Sequence, residues 1–195
     1  MEFKKIQLNG FKSFAERTNF LIEKGLTGIV GPNGCGKSNI VESLRWCMGE
    51  TSAKSMRGSG MEDVIFSGTS NKPSKNIAEV SILISNENGD APLQYKDLDN
   101  VEVRRKIEKD KGSKFYINDK EVRAKDAQMF FADLSTGAHS PSIISQGRIG
   151  ALVTAKPTDR RAILEEAAGI SGLHVRRHEA ELRLEAAENN LKRAD

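Results

Sequence analysis

Residues 31–38 read Gly31-Pro32-Asn33-Gly34-Cys35-Gly36-Lys37-Ser38, a complete G-x-x-x-x-G-K-S phosphate-binding loop. Its glycines let successive backbone N–H groups turn inward around phosphate oxygens, and the dipole of a following helix adds positive potential at that point. Lys37 is expected to reach the β- and γ-phosphates, and the Ser38 hydroxyl to complete a Mg²⁺ shell. The motif therefore predicts a site for a nucleoside triphosphate with Mg²⁺.

The residues on both sides of the loop indicate the elements that it joins. Before the loop, residues 26–30 (LTGIV) form a short apolar run of strand type. After it, apolar residues recur at helical spacing, at Ile40, Val41, Leu44, Cys47 and Met48. We predict a strand that leads into the loop and a helix that starts at its end.

The composition is that of one globular domain with a high charge load. The chain has 195 residues, of which 37% are hydrophobic and 29% are charged. Its two cysteines, Cys35 and Cys47, are too few for a disulfide framework and favour a reduced, cytoplasmic setting. We find no apolar run long enough to span a bilayer, so a membrane-embedded role for this chain is not expected.

Positive charge is concentrated in one segment. The net charge of +3 is too small to indicate a nucleic-acid partner by itself. Between residues 101 and 125, however, nine Lys and Arg (104, 105, 106, 109, 111, 114, 120, 123, 125) stand against five Asp and Glu (102, 108, 110, 119, 121). This local excess could face phosphates, and a solvated hairpin face is an equally good interpretation.

Several further segments carry strand patterns. Residues 3–8 and 18–22 are predicted to be two short strands separated by a loop. Period-2 alternation over 78–85 and 101–107, followed by a tight turn at Asn118-Asp119, predicts an antiparallel β region from residue 77 to 123.

The second half of the chain is predicted to be mainly helical. Residues 127–134 have a helical pattern, 143–147 read as a short strand running into a turn, and Pro157 starts a helix that Gly169 closes. Beyond these, the seam of a coiled coil is indicated by residues stepping by four and three, with Arg177 as the misfit: 173, 177, 180, 184, 187 and 191. An ordinary amphipathic helix is the alternative, but the pattern reaches Asp195 without a stop signal.

Part of a hydrolytic site is missing from the sequence. Such a site needs an acidic residue at the end of an apolar strand to hold Mg²⁺. The formal match, residues 129–133 (MFFAD), continues a helical pattern, so we interpret it as helix. We expect the parts that finish the site to come from another polypeptide or from sequence beyond residue 195.

Five motifs follow one another along the chain: Gly10-Phe11-Lys12-Ser13-Phe14, the loop at 31–38 followed by Asn39, Ser52-Ala53-Lys54-Ser55-Met56-Arg57-Gly58, Ser145-Gln146-Gly147-Arg148, and Glu165-Glu166-Ala167-Ala168-Gly169-Ile170. In this order they resemble the N-terminal half of the head domain of structural-maintenance-of-chromosomes (SMC) proteins, with the bacterial condensin-like chromosome-partition type as the closest match. The resemblance implies an α/β fold: an ABC-type P-loop ATPase half-head over residues 1–170, with a mixed sheet and an antiparallel β lobe. Residues 171–195 would begin an antiparallel coiled-coil arm.

The resemblance also implies a function and partners. ATP binding would drive the engagement of two heads and hydrolysis would separate them, which powers DNA organisation, chromosome condensation and chromosome segregation in the cytoplasm, at the nucleoid. The implied partners are the C-terminal half of the same head, a second SMC head in a homodimer, DNA and a kleisin-type accessory subunit. The segment alone is expected to bind ATP and hardly to hydrolyse it.

The site residues follow from the same resemblance. ATP would contact Lys12, Ser13, Gly31, Pro32, Asn33, Gly34, Cys35, Gly36, Lys37, Ser38, Asn39 and Arg57, with Arg57 near the α-phosphate. Gln146 corresponds to the Q-loop glutamine, which helps to bind Mg²⁺ together with Ser38 and positions the attacking water. Lys37 and Gln146 are thus the expected catalytic residues.

Two other functions share part of this pattern. A related coiled-coil ATPase of DNA repair would have the same loop, split head and coil, but would differ in the 52–58 and 165–170 runs. A P-loop kinase would share the loop alone and would show activity in the isolated chain.

Overall fold

The computed structural model describes residues 2–87, 89, 91–134, 143–144, 148–168 and 171–194. An antiparallel sheet of six strands organises this part of the chain, in the order β2-β1-β3-β4-β5-β6. The strands are β1 (Glu2–Asn9), β2 (Thr18–Leu21), β3 (Ile77–Ser85), β4 (Asn100–Glu108), β5 (Gly112–Ile117) and β6 (Lys120–Val122). The strands predicted at 3–8 and 18–22 and the antiparallel region predicted over 77–123 are confirmed, as is the tight turn, where Asn118 and Asp119 both have positive φ.

Within the described ranges, the sheet is accompanied by five α-helices: α1 (Lys37–Cys47), α2 (Ala124–Asp133), α3 (Arg148–Thr154), α4 (Pro157–Ala167) and α5 (Ser171–Ala194). α1 packs against β3 and β4, and α2 packs against β5. The helical interpretation of residues 129–133 is confirmed because they lie in α2, and α4 begins at Pro157 as predicted. α3 was not predicted, and Ile143 and Ile144 are not in a strand.

The core lies between the sheet and α1. Alternate residues of β3 and β4 point to α1 and are almost completely buried: Val80, Ile82, Ile84, Val101, Val103 and Ile107. They meet the apolar side of α1, formed by Ile40, Trp46 and Cys47. The sheet therefore fixes the position of the helix that starts at the phosphate-binding loop.

The strand predicted over residues 26–30 is wrong for this chain. These residues have no regular structure, and the side chains of Leu26 and Val30 are 100% and 94% exposed. A strand needs a neighbour to satisfy its N–H and C=O groups, and no described strand pairs with this run. The α/β class of the fold is confirmed, but the mixed sheet is not formed, since every described pairing is antiparallel.

Gly10 positions the turn that follows β1. Its φ of +63° lies in the left-handed region, and an added Cβ would stand 2.2 Å from the Ile77 carbonyl oxygen. The Gly10 carbonyl accepts a hydrogen bond of 2.8 Å from the Phe66 N–H. This close passage of three segments brings Lys12 and Ser13 to the start of α1.

The described helices offer no membrane-crossing segment: none of them combines the necessary length with the necessary apolarity.

Candidate functional site: the phosphate loop and its rim

The phosphate-binding loop leads directly into α1, as the motif requires. Gly36 is the N-cap residue, in the left-handed conformation with φ 95° and ψ 11°, and as a glycine it has no side chain with which to cap the helix. Gly34 also has positive φ, at 82°. The first N–H groups of a helix lack partners within the helix, so this uncapped terminus can donate to an anion. The loop residues therefore fit the phosphates of a nucleotide.

The glycines also allow the loop to pack closely. A Cβ on Gly36 would lie 2.4 Å from Ser13 Oγ, and one on Gly31 would lie 2.9 Å from Cys35 Sγ. Both contacts are shorter than side chains permit. At Gly36 the positive φ also disfavours any residue with a Cβ, whereas at Gly31 the Cys35 side chain could turn aside. The first contact also places Ser13 beside the loop.

The Lys37 side chain lies across the loop. Its Nζ donates to the carbonyl oxygens of Gly31 and Pro32, at 2.7 and 2.6 Å, and lies 3.8 Å from Cys35 Sγ. An ammonium group has three donors, and anionic phosphate oxygens are stronger acceptors than these neutral carbonyl oxygens and sulfur, so they can replace them when a nucleotide binds. Ser38, the first exposed residue of α1, stands beside it.

A second group of polar side chains borders the loop, and we call it the rim network: Lys12, Ser13, Asn39, Glu42 and Arg57. Asn39 Nδ2 donates to Ser13 Oγ at 2.9 Å, and Arg57 Nη2 donates to Asn39 Oδ1 at 3.0 Å. Glu42 accepts from Lys12 Nζ through one carboxylate oxygen and from Arg57 Nε through the other. The structure thus brings together four residues that were predicted to bind ATP, joined by one that was not.

Glu42 is the residue that sequence reasoning missed. It follows Asn39 by three positions on α1, so the two side chains lie on the same helix face. That spacing was the available signal, but the partners of the carboxylate are 30 and 15 residues away in sequence, in two separate loops. Nothing local in the sequence indicates that these loops meet at α1.

The two cations of the rim network are held in unusual backbone conformations. Lys12 has φ 47° and Arg57 has φ 54°, which costs free energy for residues that carry a Cβ. Lys12 Nζ also donates to the Met56 carbonyl oxygen and so ties the two loops together. The surrounding contacts therefore hold both residues in place against their local preference.

Asp63 fixes the chain just after Arg57. Its Oδ2 accepts hydrogen bonds from the N–H groups of Ser59 and Gly60, at 2.6 and 2.9 Å, and from Ser59 Oγ at 2.8 Å. The hydrogen bond from the Gly60 N–H, followed by those from Ser59 Oγ and the Ser59 N–H, lowers the pKa of the Asp63 carboxyl below its usual value. The carboxylate thus stays charged at neutral pH and maintains the turn that carries Arg57.

Arg105 corrects the interpretation of the basic segment, because it is buried rather than on a surface. Its side chain is sandwiched between the rings of Trp46 and Phe115, at 4.5 and 4.7 Å from their centroids, and the residue is only 3% exposed. One Nη1 donates to the carbonyl oxygens of Trp46 and Glu50, both at 2.7 Å. Arg105 therefore closes the C-terminal end of α1, opposite the phosphate loop.

Some predicted site residues lie outside the described part of the chain. Gln146 and the rest of 145–147 are among them, so the assignment of a Q-loop glutamine stays a prediction. Among the residues that are described, no three His, Cys, Asp or Glu side chains form a group that could hold a metal ion. Of the two predicted Mg²⁺ ligands, Ser38 is thus the one whose position is known.

The two cysteines are expected to differ sharply in reactivity. Cys35 is exposed in the loop, whereas Cys47 is buried with its Sγ 3.5 Å from the Val80 and Val103 carbonyl oxygens. Burial raises the pKa of the Cys47 thiol to about 12, so its reactive thiolate is scarce.

At pH 8 we expect one thiol per chain to react quickly with a chromogenic disulfide reagent, and the second only after unfolding. Cys35→Ser should remove the fast reaction, and two fast thiols in the native chain would contradict the structure.

Fold and loop together define an α/β P-loop protein, and comparison with known proteins gives its family. Residues 2–147 match the RecF/RecN/SMC N terminal domain family. The chain belongs to this family, and its similarity to SMC heads, predicted from the five motifs, is confirmed.

The curated relatives are much longer than this chain. It is 57% identical over all 195 residues to the chromosome partition protein Smc of Cereibacter sphaeroides and 56% identical to that of Rhodopseudomonas palustris. In both cases the match covers 100% of this chain and 17% of the relative. The chain thus spans about a sixth of their length.

Solved structures of SMC heads have the same fold. A Pyrococcus furiosus Smc head with an extended coiled coil, bound to the C-terminal domain of ScpA, matches with a TM-score of 0.80 and 33% identity, over 98% of this chain and 48% of that one. Another SMC head, bound to the C-winged helix domain of ScpA, matches with a TM-score of 0.81 and 32% identity, over 88% and 52%. A third, from work on ATP-driven dimerization and DNA-stimulated activation of SMC ATPases, matches with a TM-score of 0.75 and 32% identity, over 86% and 99%.

Proposed function

We propose that this chain is the ATP-binding half of an SMC ATPase head, which becomes a working ATPase when its C-terminal half is added. The observation that carries the proposal is the uncapped N-terminus of α1 behind Gly36, with the Lys37 ammonium lying across the loop. Backbone N–H groups and Lys37 would bind the phosphates, and Ser38 would ligate Mg²⁺. Bound Mg²⁺ would neutralise the charge of the β- and γ-phosphates.

The exposed apolar segment before the loop supports completion by another part of the head. Leu21, on the edge strand β2, is exposed, as are Leu26, Ile29 and Val30 in the run that fails to form a strand. An edge strand presents unpaired backbone groups, and an apolar run gains free energy when it is covered. We propose that the C-terminal half of the head supplies the missing neighbour, and that residues 26–30 form their strand on it.

Its relatives suggest the larger assembly. Solved SMC heads that resemble this chain are bound to ScpA, and one was described in work on ATP-driven dimerization. By analogy we propose that two heads engage around ATP, that a kleisin-type subunit binds, and that the complex organises DNA for chromosome condensation and segregation at the nucleoid. α5 would begin the coiled-coil arm: Leu184 and Leu191, two positions of the predicted seam, are exposed and suited to contact a second helix.

The proposal is tested by restoring the missing half. The isolated chain should bind MgATP with negligible turnover, and addition of the matching C-terminal half-head should restore hydrolysis, measured as phosphate release. The control is the same mixture with Lys37→Ala, which should remain inactive. Turnover by the isolated chain at ordinary enzyme rates would contradict the half-head proposal and favour a kinase-like activity.

A further inference from the structure

We propose that Glu42 is a positioning residue for ATP binding, which holds the Arg57 guanidinium at the edge of the phosphate loop. This inference rests on the proposed function, since it concerns how the same site binds ATP. It goes further in assigning a role to an acidic residue that, by charge alone, should oppose an anionic ligand.

The carboxylate is well placed to hold Arg57. Glu42 is on α1, one helical turn beyond Asn39, and its side chain is 11% exposed. Through one oxygen it accepts from Arg57 Nε, and Asn39 Oδ1 accepts from Arg57 Nη2 at 3.0 Å. Two groups on one helix face thus bind two nitrogens of one guanidinium, which fixes its orientation as well as its position.

Arg57 needs such support because its own segment of the chain restrains the side chain little. It follows a single 3₁₀ turn (Lys54–Met56), in a left-handed conformation, and its side chain is 57% exposed. A long exposed side chain populates many rotamers, and a ligand that selects one of them must overcome that entropy. By fixing Arg57 in advance, Glu42 would reduce the entropy lost when ATP binds.

Two effects of the Glu42 charge oppose each other, and this makes the proposal testable. Glu42 lies five positions after Lys37 on α1, so the two residues are about 7.5 Å apart along the helix axis. If only its charge acted at that distance, replacing Glu42 by a neutral residue should strengthen the binding of the ATP anion. If Glu42 acts by positioning Arg57, the same replacement should weaken binding.

Glu42 could also affect ATP binding through its ion pair with Lys12, and the experiment must distinguish this effect from the positioning of Arg57. Lys12 Nζ binds the other oxygen of Glu42 and the Met56 carbonyl, and its side chain is only 13% exposed. That pair joins two loops to α1 and would support the structure whether or not ATP is bound. In a chain that already carries Arg57→Ala, replacing Glu42 can change ATP binding only through Lys12 or another partner, so this comparison distinguishes the two effects.

The experiment is a double-mutant cycle in which the Kd for MgATP is measured by calorimetry. We expect Glu42→Gln and Arg57→Ala each to weaken binding about fivefold, and the double variant to bind no more weakly than Arg57→Ala alone. Glu16→Gln, which neutralises an exposed carboxylate outside the rim network, is the control and should stay within about twofold of the original chain.

Each other outcome has a definite meaning. If Glu42→Gln binds MgATP as tightly as the original chain or more tightly, the positioning role is overturned. It is also overturned if Glu42→Gln reduces the affinity for MgATP by the same factor in the Arg57→Ala variant as in the original chain. If Glu42→Gln does not fold, Glu42→Asp replaces it, because aspartate keeps the charge on a shorter side chain. The proposal then requires that Glu42→Asp weakens MgATP binding in the original chain but not in the Arg57→Ala variant. Undiminished MgATP binding in Glu42→Asp overturns it. A chain with the original sequence that binds no MgATP refutes the proposed function instead.

Discussion

Lys37→Ala should reduce the affinity for MgATP by at least about 100-fold. In the structure the ammonium lies across the loop on two carbonyl oxygens, within reach of phosphates bound at the start of α1. A hydrogen bond that involves a charged group contributes about 1.5–3 kcal/mol. The loss of two such contacts, one to each of the β- and γ-phosphates, corresponds to two or more factors of ten in Kd.

Calorimetric titration is the appropriate measurement for Lys37→Ala. Trp46, the natural fluorescent probe, is completely buried against Phe11 and Arg105. It lies nine residues beyond Lys37, about 13 Å along the helix, so its emission would report movement of α1 rather than contact with the nucleotide. Lys24→Ala, which removes an exposed lysine, is the matched control and should leave Kd unchanged. If Lys37→Ala bound MgATP as tightly as the original chain, the assignment of the site would be wrong.

The sequence was most informative where the structure depends on local chemistry. The loop at 31–38, the helix after it and the Asn118-Asp119 turn each follow from a few adjacent residues whose backbone requirements are specific. Alternation along β3 and β4 likewise predicted the antiparallel sheet, because a strand with one buried face must alternate.

Prediction failed where the structure depends on distant partners. The run at 26–30 has the composition of a strand, but composition cannot provide the neighbouring strand that its backbone needs. The rim network is similar: Lys12 and Arg57 are 45 residues apart, and their common partner Glu42 lies between them in sequence. Such a network becomes visible only when the loops are placed around α1.

Arg105 shows a third way in which prediction fails: the alternation along β4 indicates a buried residue, whereas the charge of the side chain indicates an exposed one. It falls in the period-2 series Val101, Val103, Arg105 and Ile107, which shares one face of β4. The alternation therefore placed it with the buried residues, yet its charge led to its inclusion among the surface cations. The aromatic partners that make burial possible, Trp46 and Phe115, come from α1 and β5.

Arg105→Met should lower the free energy of unfolding by about 3 kcal/mol. Methionine fills a similar volume but cannot donate to the carbonyl oxygens of Trp46 and Glu50, or to Ser113 Oγ, which accepts from Nε at 2.8 Å. A buried hydrogen bond from a charged donor contributes about 1.5–3 kcal/mol, which applies to the two bonds to carbonyl oxygens. The Trp46 carbonyl keeps a hydrogen bond from the Gly49 N–H at 3.1 Å, and Ser113 is exposed, so its hydroxyl can bond to water instead. Both ring contacts, worth about 1–2 kcal/mol each when buried, are also lost.

One effect of the substitution acts in the opposite direction, and its size decides the result. Burial lowers the pKa of the Arg105 guanidinium from its usual value to about 10, so that placing this charge in the core costs on the order of 3 kcal/mol, a cost that methionine avoids. That saving is smaller than the summed loss of the two buried hydrogen bonds and the two ring contacts, which is about 5–10 kcal/mol. The net change should therefore remain destabilising, by the amount of about 3 kcal/mol given above.

Arg104 provides a matched control for this experiment on the next residue of the same strand. It points to the opposite face of β4, where its partner Asp119 is exposed and the ion pair spans 2.7 Å. An ion pair with an exposed carboxylate contributes about 0–1 kcal/mol. The Arg104 guanidinium also lies 4.8 Å from the centroid of the Tyr116 ring, a contact worth about 0.5–1 kcal/mol, so Arg104→Met should cost less than about 2 kcal/mol. Urea unfolding measures the free energy of unfolding of both variants. An unchanged dependence of this free energy on urea concentration confirms that the two transitions can be compared. Equal stability of the two would mean that α1 does not depend on Arg105, and that the sheet alone holds the end of the helix opposite the phosphate loop.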